Sequence, residues 1–234
     1  MEELIDPFVD VMHLRIILAV TMLGIASYTD IVKREISDYI WVIFGVASIG
    51  LIVLEPQLDE TLFAIGISMI VAPFVILIWR LGLFGGADAF AIIVLASLVP
   101  QITLTENTIT PFTTLTNAVI LSIIPMFINL GRNLLRMATK QEIFEGFDET
   151  KSRQILAMFV GYKAKNPKHS FSIERKAGKK KKLNLSLQHA EYAPFCTKPD
   201  TWVTPGIPYM LFITGGFVLQ LFYGDIIFSL FTLS

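Results

Sequence analysis

The chain has 234 residues, 53% of them hydrophobic and 17% charged, with a formal net charge of −1 and a mean hydropathy of +0.62. Soluble domains are about a quarter charged; the shortage of charge here, and the gathering of apolar residues into runs, exclude an ordinary soluble globule and a disordered chain. A secreted disulfide scaffold is excluded as well, because the single cysteine, Cys196, has no partner for an internal bridge.

Six stretches are close to charge-free, at roughly 14–28, 39–54, 61–79, 83–100, 114–130 and 207–223. Several reach the ~17–25 residues that a helix needs to cross the hydrocarbon layer. The first is preceded by MEELIDPFVD, which carries four acids and no base. A signal peptide opens with a basic region, so this segment reads as a permanent span. Arg15, near its outer end, is expected to snorkel to the interface on its long stem. Asp30 closes the same segment, where a carboxylate faces the negative end of the helix dipole. Capping does not account for it, and the plain alternative is an interfacial acid paired with Lys33 or Arg34. Asp38 directly precedes the second segment and reads as its N-cap. The 55–60 loop has no base, and the third segment ends at Arg80.

The fourth segment is LGLFGGADAFAIIVLASLVP. Its apolar run from Ala89 to Pro100 is twelve residues, too short to span, so the helix must recruit part of 81–88. That draws Asp88 into the membrane, about 7 Å along the axis if the span begins near Leu83. Taken alone, Asp88 also fits an N-cap and Gly85-Gly86 a turn. The 101–113 loop has no base, and the fifth segment follows.

A polar insertion then runs from 132 to 205. RNLLRMATKQEIFEGF suits helix five running on, or a short amphipathic helix. KSRQILAMFVGYK at 151–163 is read as a strand. Phe171 and Ile173 alternate with polar residues, as do Leu183, Leu185 and Leu187, which predicts an antiparallel hairpin of 170–175 and 182–188 turning at Ala177-Gly178. Pro194, Pro199, Pro205 and Pro208 mark an extended linker into the last helix. The fold class expected is an α-helical polytopic membrane protein: six transmembrane helices, with a small α+β cytoplasmic domain inserted between helices five and six. The divisions are 1–131, 132–205 and 206–234.

Eighteen of the nineteen basic residues fall on alternate loops, fifteen of them between 131 and 206. The positive-inside rule puts those loops in the cytoplasm and both termini outside, in a multi-pass protein of the cell membrane. A β-barrel is excluded by the continuous, overlong apolar runs.

This topology brings Asp30 and Asp88 to one boundary. Two carboxylates facing across a small wet pocket can share a proton, one serving as base on a water and the other as acid on a scissile carbonyl. Glycines beside Asp88 allow close backbone approach by an extended peptide. His13, His169, His189 and Cys196 lack metal-ligand spacing, and no P-loop, dinucleotide fingerprint, zincin motif or nucleophile elbow is present. No metal, cofactor or nucleic acid is implied. Lys179–Lys182 reads as a solvated turn, or as a surface attracted to anionic lipid.

SYTDIVKREISDYIW at 27–41 and GGADAF at 85–90 resemble the two aspartate segments of the preflagellin and type IV prepilin peptidases, membrane aspartyl proteases with a Gly-x-Gly-Asp motif. The six-helix count fits the same family, and the archaeal preflagellin peptidases in particular. Ala87 stands where that motif has its second glycine, which narrows the backbone choices there. The cysteine-rich zinc segment and methyltransferase region of the bacterial enzymes are missing, which points to a peptidase without methyl transfer. The resemblance implies Asp30 and Asp88 as catalytic residues, Gly85, Gly86 and Ala87 as their support, and no cofactor. It implies a preflagellin or prepilin-like precursor as substrate, with a short basic leader followed by a hydrophobic helix, cut at their junction on the cytoplasmic face. Glu35 and Asp38 are candidates for attracting the leader. An ion- or proton-coupled transporter is the alternative that intramembrane acids and helix-breaking glycines also fit.

Overall fold

A computed structural model describes residues 7–104, 107–177, 180–185 and 194–232. Its helices are α1 (Pro7–Lys33), α2 (Tyr39–Val53), α3 (Leu58–Ser68), α4 (Val71–Arg80), α5 (Gly86–Leu98), α6 (Thr113–Ser122), α7 (Ile124–Ala138), α8 (Lys151–Val160), α9 (Tyr209–Tyr223) and α10 (Ile226–Thr232). Its strands are β1 (Tyr162–Ala164), β2 (Ser170–Ser172), β3 (Glu174–Ala177), β4 (Lys180–Leu183) and β5 (Thr201–Pro205). All six apolar stretches are helical. Val11–Lys33, Leu58–Arg80 and Thr113–Ala138 are long and apolar enough to cross a membrane, at 23, 23 and 26 residues. Tyr39–Val53, Gly86–Leu98 and Tyr209–Tyr223 are shorter. The joints α3–α4 and α6–α7 each lie just before a proline, Pro73 and Pro125. Proline withholds the N–H that would continue the ladder but is tolerated in a first turn.

The chain divides into two compact units, Met1–Leu121 with Pro208–Ser234, and Ser122–Ile207. In the first unit α5 is central and packs against α1, α2, α4 and α9. It buries Ala89, Ala91, Ile92, Val94, Leu95 and Leu98, which is apolar nearly all round, as an enclosed helix must be. By contrast α1 buries Ala19, Met22, Leu23 and Ala26, one helical stripe. Its other side exposes Ile17, Val20 and Ile25, and α2 exposes Val42, Ile43, Val46 and Ile49. So much exposed apolar surface is unfavourable in water and at home in lipid. This is the build of a membrane protein.

Arg15 does not snorkel. It is 1% exposed; its Nε donates to Glu55 Oε1 at 2.6 Å and its Nη1 to the Leu98 carbonyl at 2.9 Å. A carboxylate from the α2–α3 link and a free carbonyl at the end of α5 offer the guanidinium more than the interface does. Asp225 is likewise buried. Its Oδ1 caps α10 through the Phe228 N–H at 3.0 Å, and its Oδ2 accepts from the Thr113 hydroxyl at 3.0 Å.

In the second unit β5 is the middle strand of an antiparallel sheet of order β1-β5-β2, pairing Tyr162 with Val203 and Phe171 with Thr204. The stretch 194–208 is therefore not simply a linker. Trp202 and Val203, both fully buried, hold it in place, and Pro205 is tolerated because it ends the strand. The expected partner of 170–172 is corrected with it: β2 pairs with β5, while the hairpin is β3 with β4, in register Glu174 to Leu183. Its connecting residues 178–179, and Leu187, lie outside the described residues. The strand expected over 151–163 is a helix as far as Val160, with β1 following it. Thr150 caps that helix by accepting the Arg153 N–H, and Ala157 and Met158 turn to the core, where Trp202 lies against Ile143, Ile173 and Leu183. Phe144 stacks on the Trp202 ring at 4.8 Å, and the indole N–H donates to the Ile143 carbonyl at 2.7 Å.

Candidate active site

Asp30 sits in the last turns of α1, half-buried. The helix ends just beyond it, where Arg34 takes a left-handed conformation (φ 59°) and donates its N–H to the Asp30 carbonyl at 3.1 Å. Arg34 is near enough for its charge to act on the Asp30 carboxylate, as the plain alternative expects, but the carboxylate's hydrogen bond goes elsewhere. Its Oδ2 accepts from the Met210 N–H at 3.4 Å, in the first turn of α9. That turn needs an acceptor: the N-cap of α9 is Pro208, which supplies no side-chain cap, and the first N–H groups of a helix have no partner within it. The carboxylate that faces the wrong end of its own helix dipole thus faces the right end of another.

Asp88 lies in the first turn of α5, also half-buried. It is not the N-cap. Gly85 takes that position with extended backbone (φ −71°, ψ 147°), and its carbonyl accepts the Ala89 N–H at 3.1 Å. Asp88 stands three residues on, where an acid folds back toward the cap. A β-carbon on Gly85 would lie 2.7 Å from Asp88 Oδ2, and one on Gly86 would lie 3.1 Å from the Trp79 indole nitrogen. The turn glycine proper is Gly82 (φ 69°). It closes α4 by donating to the Trp79 carbonyl at 2.8 Å, with Leu83 donating to Ile78 at 3.1 Å, a Schellman arrangement. Ala87 packs its methyl group against the core, so this position accommodates a side chain.

The two acidic segments meet the same element. Met210 bonds Asp30, and the neighbouring Tyr209 ring packs edge-on against Phe84, at 5.2 Å and 79°, just ahead of the Gly85–Asp88 run. One turn along, the Ser27 and Thr214 hydroxyls bond at 2.7 Å and again join α1 to α9. Sequence reading did not single out Phe84, Tyr209 or Met210. The signal available was Pro208 opening an apolar helix with no capping side chain, which marks an orphaned N-terminus but not the acid that meets it. Glu35 and Asp38 are exposed in the link between α1 and α2. Asp38 does stand at the N-cap position of α2, without a side-chain cap bond. A cavity of about 220 Å³ lined by Arg15, Glu55, Gln57, Glu60 and Thr61 opens about 22 Å along α1 from Asp30 and is separate from the acids.

Residues 17–128, which hold both acids, match the type IV leader peptidase family, and residues 141–226, which hold the first turn of α9, match the family described as Archaeal Peptidase A24 C-terminus Type II. The chain is 30% identical over 238 residues to a preflagellin peptidase of Methanococcus voltae, covering 91% of this chain and 97% of that protein. It is 27% identical over 221 residues to a preflagellin peptidase of Methanocaldococcus jannaschii, covering 88% and 92%.

Proposed function

The chain belongs to the preflagellin peptidase family of type IV leader peptidases, and from that premise we propose that it is a membrane-embedded aspartic endopeptidase acting through Asp30 and Asp88. Its substrates are preflagellin or prepilin-like precursors, cut between a short basic leader and the hydrophobic helix that follows. The observation that carries this reading is the pair of half-buried carboxylates, each at the N-terminus of a helix: Asp30 accepts from the first turn of α9, and Asp88 lies in the first turn of α5, four residues after Phe84, whose ring packs against Tyr209 of α9.

One acid is ionised and takes a proton from a water as its oxygen attacks the scissile carbonyl carbon. The other is protonated and gives its proton to the carbonyl oxygen. Collapse of the tetrahedral intermediate breaks the C–N bond: the departing amine takes the proton held by the base, and one hydroxyl of the intermediate returns its proton to the acid, which leaves a carboxylic acid product and restores the dyad to its starting protonation. Six spans, with the polar insertion and both acids on the cytoplasmic side, let the precursor's helix lie in lipid while its basic leader stays in the cytoplasm near Glu35 and Asp38. The segregation of basic residues onto alternate loops supports this orientation.

The test is cleavage of a purified precursor by the full chain in lipid nanodiscs. Asp30→Asn and Asp88→Asn are each expected to abolish turnover while leaving insertion and folding intact. The double variant is expected to be no worse than either single, because members of one catalytic unit are strongly non-additive. Substantial turnover by either single variant would overturn the dyad, and equal loss in Asp38→Asn would move the chemistry to a wider acidic cluster.

A further inference from the structure

We infer that the first turn of α9 is the positioning element of this dyad, with the Met210 N–H setting the Asp30 carboxylate and the Tyr209 ring setting the segment that carries Asp88. It rests on the peptidase reading above and adds residues from a helix that contributes neither acid.

Three contacts place α9 against the acidic segments, and the two made with α1 are spaced one turn apart. Ser27 and Asp30 are three residues apart on α1; Thr214 and Met210 are four apart on α9. The helices run antiparallel, so both pairs form at once and fix the sliding of α9 along α1. Thr214 also returns its hydroxyl to the Met210 carbonyl at 2.9 Å, which ties the two contacts together. The third contact is Tyr209 against Phe84. Phe84 immediately precedes the N-cap of α5, so a shift of Tyr209 is felt at the start of the helix that orients Asp88. A backbone N–H is a suitable positioning group because it has no rotamer freedom to lose. The Met210 bond is long at 3.4 Å, and catalytic hydrogen bonds are often long before substrate binds.

Proline at position 210 removes the N–H while remaining compatible with a first turn; α7 already carries Pro125 at the equivalent place. Met210→Pro also removes a buried side chain, so Met210→Ala, which removes the side chain and keeps the N–H, is its reference. Both are assayed as full chains in nanodiscs on a purified precursor, beside the native chain and Asp30→Asn. The kcat of Met210→Pro is expected to fall roughly ten- to a hundredfold below that of Met210→Ala, the range that a hydrogen bond to a charged group supports. KM should change less than threefold, and the pH–rate profile should be displaced along the pH axis only in the proline variant. Equal kcat and coincident profiles in the two variants, with Asp30→Asn inactive, would overturn the inference and leave the peptidase reading standing. Turnover by Asp30→Asn would overturn both. If Met210→Pro does not fold, the Met210 amide resonance in 15N-methionine-labelled native chain decides. It should titrate with pH and cease to do so in Asp30→Asn; a Met210 amide indifferent to that substitution would overturn the inference.

Discussion

Gly85 and Gly86 differ in what a side chain would meet. Gly85 has φ and ψ that any residue adopts, so its requirement is steric: an added β-carbon would stand 2.7 Å from Asp88 Oδ2. Gly85→Ala should therefore move the carboxylate without unfolding α5. Displacement of a reacting group by about 1 Å lowers rate by up to about a hundredfold; cleavage kinetics on a purified precursor, set beside an unchanged thermal midpoint, will show whether the loss is of this kind. Arg15 and Glu55 pose a stability question instead. Their side chains are 2% and 5% exposed, and removing one partner of a buried pair strands the other charge at a penalty of about 3–5 kcal/mol. Arg15→Met and Glu55→Leu should each lower the thermal midpoint markedly in detergent, and the double variant should recover most of the loss. A double variant as unstable as the sum of the singles would show that the pair is not coupled.

At the scale of elements, α8 shows how a neighbouring helix decides a local conformation. Its last carbonyls have no partner within the helix. Asn133 of α7 donates to the Met158 and Gly161 carbonyls at 3.0 and 2.8 Å, and Asn129 donates to Phe159 at 3.2 Å. Asn133→Leu keeps the volume and deletes two donors, leaving buried acceptors unmet at about 1–3 kcal/mol. Hydrogen exchange read by mass spectrometry should then quicken across 151–160 while α1 and α5 stay protected. Unchanged protection of α8 would show that its amphipathic face alone holds it.

For the whole molecule, the proposed orientation puts the insertion in the cytoplasm. Cys196 is the single thiol of the chain and lies within that insertion, half-buried. A membrane-impermeant maleimide should label it weakly in intact cells and strongly after lysis; full labelling before lysis would reverse the topology. The three shorter apolar helices need not match the bilayer as the longer ones do. At 13 residues α5 extends about 20 Å against a hydrocarbon layer of ~30 Å, but it is enclosed by α1, α2, α4 and α9, and backbone ends enclosed by protein are not exposed to lipid.

Run length and period alone sufficed for the helical character of all six apolar stretches and for an antiparallel sheet within a small α+β insertion, and they made Asp30 and Asp88 candidates. Hydrophobic run length and period are local properties that survive any packing. The tertiary structure decided what the acids touch: Asp30 meets the first turn of α9, 180 residues away, and no local rule pairs an orphaned N–H with so distant a carboxylate. It also decided the fate of Arg15, because the interface and a buried glutamate compete for the guanidinium and only packing brings Glu55 within reach. The strand at 201–205 was obscured by its flanking prolines, and the helix at 151–160 by a mixed apolar run. In both places burial of a side chain against a distant partner, Trp202 and Met158, outweighs the local preference.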